Sequence, residues 1–429
     1  MASSASAAYT KLPVKPISRF SSERKLVTAH EVYCFKFTGF YFSLRIMDTK
    51  VVKHISEAAD EVAQFQEAVT GRVSMQHKGI CGFDGFIDTF ITMKQPATMA
   101  EFGPKVAAAA GIAASYESEH KGDKFGGNGP LIASALSDIY SNEIDITYIG
   151  AMGADEVLPI YRDALEDKIR KLYTLAEPAH SDCLEFEDGK VMLCDMRSCA
   201  EITWERLLET IGADQLAEAL QDCRFIGAVN WGKLPHVGEI WTNLARQLAN
   251  MGVPKKEVAF FMDLAEFEQR PMEDREKLLQ LLPAITEQCH TMLSFNLKEA
   301  WQMAESFDGD FHGKKDPQAV ADLAVFLREH IDVDRIIIHP NNGAACASAD
   351  GCTYLPGPYC KKPLISIGAG DNFGAGCLAA CLEGFDNLGI LLAGNCASGH
   401  YVRSGNSASF KEMAELLDMW LKGEVPERL

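Results

Sequence analysis

Ile365-Ser366-Ile367-Gly368-Ala369-Gly370-Asp371-Asn372-Phe373-Gly374-Ala375-Gly376 is the stretch that decides the fold of this chain. Ile365 and Ile367 read as the end of a buried strand. The glycines after them read as a tight turn, and the small residues from about Asp371 onward as a helix. The first N–H groups of a helix have no partner within it, and glycine lets a ligand come close to the backbone. Such a turn binds anions, phosphate most often. Asp371 has a second use there. It can accept a proton from a hydroxyl while the adjacent amides stabilise charge on a transferred group. The same spacing equally fits a glycine turn with Asp371 as an ordinary N-cap.

Upstream, Asn296-Leu297-Lys298-Glu299 follows the apolar run TMLSF and opens a helix. Asn296 and Glu299 then share one face at i, i+3. An amide and a carboxylate so placed hold a hydrated Mg²⁺ beside phosphate oxygens, or they form a capping box. Lys124-Phe125-Gly126-Gly127-Asn128-Gly129 is a glycine turn before a helix, and Asn128 offers a polyhydroxyl ligand both a donor and an acceptor. Asp84 and Asp88, in GFDGFID, end an apolar strand that runs out into a polar loop. They are acceptors for sugar hydroxyls or solvated loop acids. His339 ends the strand RIIIH and reads as a structural residue rather than a base. No Ser/His/Asp arrangement is legible.

Around these motifs, RFIGAVNW, VAFFMDLA, HTMLSFN and RIIIHP are buried strands separated by helical stretches. That rhythm predicts an α/β fold, a mainly parallel sheet with helices on both faces. Asp188-Gly189 between alternating segments predicts a hairpin and a small antiparallel lid. Val52, Ile55, Ala59, Val62 and Phe65 or Gln66 predict an amphipathic helix. There is no internal repeat, and no linker divides residues 78 to 420.

Charge and composition exclude several classes. The chain has 429 residues, with Lys+Arg 41 against Asp+Glu 60 and a net charge of -19. That balance argues against nucleic acid or an anionic membrane as partner. No apolar run approaches the roughly 18 residues of a membrane span. The 13 cysteines include no C-x-x-C pair, which points to free thiols in a reducing, cytoplasmic setting and away from structural zinc. Residues 1–46 differ from the rest: Ser/Ala-rich at first, then aromatic at 33–42, with seven Lys/Arg against two Glu. They read as a disordered extension, a segment before a true start at Met47, or an organelle-targeting peptide.

Taken in order, GFDGFID, FGGNGPLIASAL, YIGAMGADE, the Asp188-Gly189 hairpin, FFMDLAEFEQR, NLKE and GAGD resemble the ribokinase-like (PfkB) carbohydrate kinase family, from about Gly79 to Gly405. The resemblance implies a three-layer α/β/α sandwich over 47–429 with a β lid at about 89–123 and 181–200. It implies ATP-dependent, Mg²⁺-assisted transfer to a sugar hydroxyl, and leaves a homodimer through the lid open. Asp371 would be the base, and Gly368, Ala369 and Gly370 the anion hole. Asp84, Asp88, Gly126, Gly127 and Asn128 would hold the sugar. Asn296 and Glu299 would organise Mg²⁺ and phosphates, with His339, Asn342, Asn395 and Ser398 at the nucleotide. Three positions depart from the family. Ile365 stands where an Asp helps bind a monovalent cation, which implies weak potassium activation. Leu131 stands where the glycine motif has Asn. Gly82 and Asp88 are six apart rather than five. A phosphorylated sugar would need cations near the lid, and Lys94, Lys121, Lys124 and Arg197 are the candidates. The alternatives are a nucleoside kinase and a silent binding protein of the same fold. A Rossmann dehydrogenase is disfavoured because its glycine fingerprint belongs near the start of the fold.

Overall fold

The computed structural model describes residues 32–37, 40–45, 47–71 and 76–429. The chain divides into two units, Met1–Ile46 and Met47–Leu429. In the first, β1 (Val32–Phe37) and β2 (Phe40–Arg45) pair antiparallel, so the aromatic run forms a hairpin with itself. The Ser/Ala-rich stretch before it, on which the targeting reading rests, lies outside the described residues.

The second unit is built on a ten-stranded sheet. Its strands are β3 (Thr49–Val51), β4 (Lys78–Gly82), β7 (Asp145–Gly150), β8 (Lys171–Thr174), β11 (Phe225–Val229), β12 (Ala259–Asp263), β13 (His290–Phe295), β14 (Arg335–Ile338), β15 (Gly343–Ser348) and β16 (Gly351–Pro356). The order is β3-β16-β15-β14-β13-β12-β11-β4-β7-β8. From β14 to β8 every pairing is parallel. The strands are apolar on both faces because helices cover both. Ile226, Phe260, Met262, Ile336 and Ile338 enter one core with Trp241, Leu244, Leu282 and Met303. Their neighbours Phe225, Phe261 and Ile337 enter the other, with Phe65, Leu136, Leu378 and Leu391. This is the three-layer sandwich implied by the motifs.

A four-stranded sheet of order β10-β9-β5-β6 forms the lid: β5 (Phe86–Gln95), β6 (Glu117–Gly126), β9 (Ala179–Phe186) and β10 (Gly189–Asp195). The polar loop expected after β4 is only Phe83-Asp84-Gly85; the chain then continues as β5, because β6 and β9 take up its backbone groups. The β9–β10 hairpin turns at Glu187-Asp188, with Gly189 already paired to Phe186. The Asp188 carboxylate accepts from the amides of Met99 and Ala100, capping the helix Met99–Ala108.

Three local expectations are corrected. The first helix runs Ala59–Thr70 after a 3₁₀ turn, since residues 49–51 are drawn into the sheet as β3; Ala58 rather than Ala59 is buried. Ile365–Ile367 is not a strand but a loop, and the helix after it starts at Ala369 rather than Asp371. Leu364 pairs with the carbonyl of Val402 in a helix instead of with a strand. The β15–β16 hairpin, unread in the sequence, turns at Ala349-Asp350 just before Gly351, a signal like that of Asp188-Gly189.

Candidate active site

The strands β4, β11, β12 and β13 end at one edge of the sheet, and the lid stands over that edge. The cleft between them has a volume of ≈ 570 Å³. On its floor the helix Ala369–Leu382 begins. Gly368 caps it in the left-handed region (φ 86), where a side chain is strained, and a Cβ there would meet Tyr401 Oη at 2.9 Å. No side chain caps this helix. The amide of Ala369 turns back to the carbonyl of Ser366 at 3.2 Å, so of the three residues read as an anion hole it is Gly370 whose backbone stands exposed in the cleft.

Asp371 keeps part of its surface on the cleft. Its enclosure pushes the carboxyl well above the usual carboxylate range. The hydrogen bond from Asn128 opposes that shift, and the charges of Asp263 and Asp84 add to it. Asn128 Nδ2 donates to Asp371 Oδ1 at 2.8 Å. The FGGNG turn and the GAGD turn, 243 residues apart, thus meet through one hydrogen bond.

Asp84 sits in the short loop after β4 but is neither solvated nor open to the cleft. It is fully buried and accepts from the amides of Asn128 (2.9 Å) and Gly129 (2.7 Å) and from Asn230 Nδ2 (2.5 Å). Burial still pushes its carboxyl up to about 6, against those three donors. Asp84 therefore shapes the turn that carries Asn128. Gly127 starts that helix at φ 97, and Gly126 lies against Asp88. Asp88, on β5, does line the cleft; it is 6% exposed and its carboxyl is raised by burial.

Asn296 and Glu299 form the capping box. Asn296 Oδ1 accepts from the Glu299 amide at 3.0 Å, and Glu299 accepts from the Asn296 amide at 2.9 Å and from its side chain at 2.6 Å. Both residues also line the cleft. Asp263, at the end of β12, was not singled out in the sequence, although an acid ending an apolar strand is the pattern that marked Asp84 and Asp88. Burial raises the carboxyls of Asp263 and Glu299, and the charge of Asp263 raises that of Glu299 further. With Glu266, five carboxylates line the cleft against one cation, Lys233. Among the described residues no group of three or more His, Cys, Asp and Glu is placed to cage a metal ion. Carboxylates and an amide of this kind, Glu299, Asp263 and Asn296, would fit a hydrated Mg²⁺ through its waters rather than as a closed cage.

A second cavity of ≈ 420 Å³ adjoins the first. Gly370, Asn296 and His339 line both. Asn395 and Ser398 line the second; Asn342 does not, and its neighbour Asn341 does. His339 stacks on Phe373 with ring centroids 4.7 Å apart, and burial lowers its pKa to about 4, so it is neutral. His339 Nε2 and Asn395 Nδ2 are buried without a partner.

Two of the three departures noted in the sequence meet in one place. Ile365 and Leu131 both line a further cavity of ≈ 650 Å³, and Leu131 also lines the cleft. Of the basic residues considered for a sugar phosphate, Lys94 and Lys121 pair with Glu119, Arg197 pairs with Asp195, and Lys124 lines the further cavity over Phe90. None of the four lines the cleft.

Comparison with known proteins agrees with this fold. A family model described as prokaryotic ketohexokinase matches residues 54–420. A ketohexokinase of Haloferax volcanii is 24% identical over 348 residues, covering 77% of this chain and 88% of that protein. Among solved structures, a ribokinase of Arabidopsis thaliana complexed with ribose and ATP superposes with a TM-score of 0.54 at 16% identity, over 81% of this chain and 99% of that one. A nucleoside kinase of Methanocaldococcus jannaschii gives 0.53 at 12% identity, over 81% and 99%. At such identities the structural matches establish the fold.

Proposed function

The chain belongs to the prokaryotic ketohexokinase family of ribokinase-like carbohydrate kinases, and we propose that it transfers the γ-phosphoryl group of ATP to a hydroxyl of a ketohexose. The observation that carries this reading is the junction of the two cavities at Gly370, next to Asp371. Sugar in the cleft and nucleotide in the smaller cavity would meet at that point.

In this reading Asp88 accepts hydrogen bonds from the sugar, and Asn128 holds the near oxygen of Asp371. The other oxygen of Asp371 takes the proton of the attacking hydroxyl. Its raised pKa makes it a better base than an exposed Asp, provided the pH keeps it ionised. The exposed amide of Gly370, at a helix N-terminus, faces the charge that develops on the transferred group. Neutral His339 adds no charge between the two sites. Mg²⁺, when bound with the nucleotide, would offset the negative charge of its phosphates. Phosphoryl transfer depends on placement and charge stabilisation more than on a special nucleophile, and these residues supply both.

The test is ADP release from ATP over a panel of ketoses, aldoses, sugar phosphates and nucleosides, with Asp371→Asn alongside. A ketohexose is expected to be the best acceptor. Asp371→Asn is expected to lower kcat by about 10²–10⁴ while nucleotide binding persists. Wild-type turnover in the variant would remove Asp371 as the base. A nucleoside as the best acceptor would make the chain a nucleoside kinase, and binding without turnover would make it a silent member of the fold.

A further inference from the structure

Arg403 is 1% exposed, yet the hydrogen bonds it donates end on backbone carbonyls rather than on a carboxylate. Nη1 donates to Gly399 at 2.8 Å, within its own helix Asn387–Ser404. Nη2 donates to Pro358 at 2.7 Å and Tyr359 at 3.0 Å, and Nε donates to Pro426 at 2.7 Å. Only the planar guanidinium fork reaches three separate backbones at once. A buried cation is costly unless its donors are filled, and here carbonyl dipoles fill them.

The loop at 357–363 forms one wall of the ≈ 420 Å³ cavity through Pro358, Tyr359, Cys360, Lys361 and Pro363. It contains no helix or strand. From its far side it is gripped by Pro426–Arg428. Glu427 accepts from the amide of Lys362 at 3.0 Å and from Cys360 Sγ at 3.5 Å, and Arg428 donates to the carbonyl of Lys362. These contacts tie three pieces of chain together: the helix with Asn395 and Ser398, the loop facing them, and the segment behind the loop.

We infer that Arg403 and Pro426–Arg428 form a strut that positions the 357–363 loop and so sets nucleotide affinity, without touching the nucleotide. Arg403 and Glu427 are positioning residues, for neither lines the cavity. The inference rests on the reading that this cavity takes the nucleotide.

Two variants test it. Glu427→Ala removes an exposed side chain, so the fold is expected to survive it. Arg403→Lys keeps the charge but loses the fork. Titration of a non-hydrolysable ATP analogue by calorimetry gives a readout that needs no turnover. Wild-type protein is expected to bind it. Glu427→Ala is expected to weaken binding, and raise the KM for ATP, about three- to ten-fold, the scale of one or two lost hydrogen bonds. The KM for sugar and kcat are expected to stay within about two-fold, since the cleft is untouched. Arg403→Lys, where it folds, is expected to follow the same pattern more strongly. A Glu427→Ala protein with a lowered Tm and unchanged analogue affinity would overturn the strut and leave the nucleotide reading standing. Absence of analogue binding by wild type would overturn both.

Discussion

The base of the proposed reaction is held by a residue 243 positions away in the sequence but beside it in the cleft. Asn128 donates to Asp371, and it is placed there by Asp84, which orders its turn from beneath. Removing the Asn128 donor withdraws the interaction that favours the ionised carboxyl, so the raised pKa of Asp371 rises further. A base works only when unprotonated, and kcat falls as the pH drops through that pKa. Asn128→Leu is therefore expected to shift the acid limb of the kcat profile to higher pH, with the alkaline plateau less affected. A limb at the wild-type position would show that the hydrogen bond does not tune the base. Asp371, Asn128 and Asp88 were legible because their types and spacings are unusual for core. The burial of Asp84 was not. It depends on Asn230, 146 residues away, and on the amides of a turn 44 and 45 residues away, partners that no local pattern reveals. Asp263 carried a local signal and was passed over.

Among elements, the helix Leu297–Glu305 shows that the two readings of NLKE are compatible. The capping box is what fixes the Glu299 carboxylate at the cleft wall. Burial, and then the charge of Asp263, raise its pKa, and a cation beside the pair would favour the ionised form of both. Glu299→Gln keeps one acceptor for the box and removes the charge. It is expected to raise the Mg²⁺ concentration for half-maximal rate several-fold, with a smaller change in the KM for sugar. An unchanged Mg²⁺ profile would leave Glu299 as a cap alone. Ile365–Ile367 reads as a strand end because an alternating apolar triplet looks the same in a strand and in a loop facing a cavity. Ile365 and Ile367 do face one, but the backbone between them joins no sheet.

At the scale of the molecule, the sandwich was readable because strands buried on both faces leave unbroken apolar runs, such as Ile336–Ile338 and Ala259–Met262. The lid was readable only in part: its hairpin has a turn signal, but β5 and β6 carry exposed polar residues and pair for reasons of topology. The way β5 leaves the body has a mechanical consequence. Its root is bolted. The carbonyl of Asp84 accepts from Tyr148 and Ala151, Gly85 accepts from Ala179, and Phe86 accepts from Tyr161. A Cβ on Gly85 would meet the Ala151 carbonyl at 1.7 Å, so the backbone there has no room to swing. Farther out, on the β6 edge alone, the β5–β6 register slips first between Phe90 and Ile91, leaving Lys121 without an opposite residue. It slips again between Met93 and Gln95, while β9 stays in register from Phe86 to Thr92. The lid is a cantilever with a rigid clamp and a compliant joint partway along, and bending is expected to concentrate at that joint. Asp88 lies on the clamped side, so the sugar contact would hold still while the outer blade moves. Amide hydrogen exchange should be slow at 84–88 and faster around 120–122. Equal rates at both would put the pivot at the root.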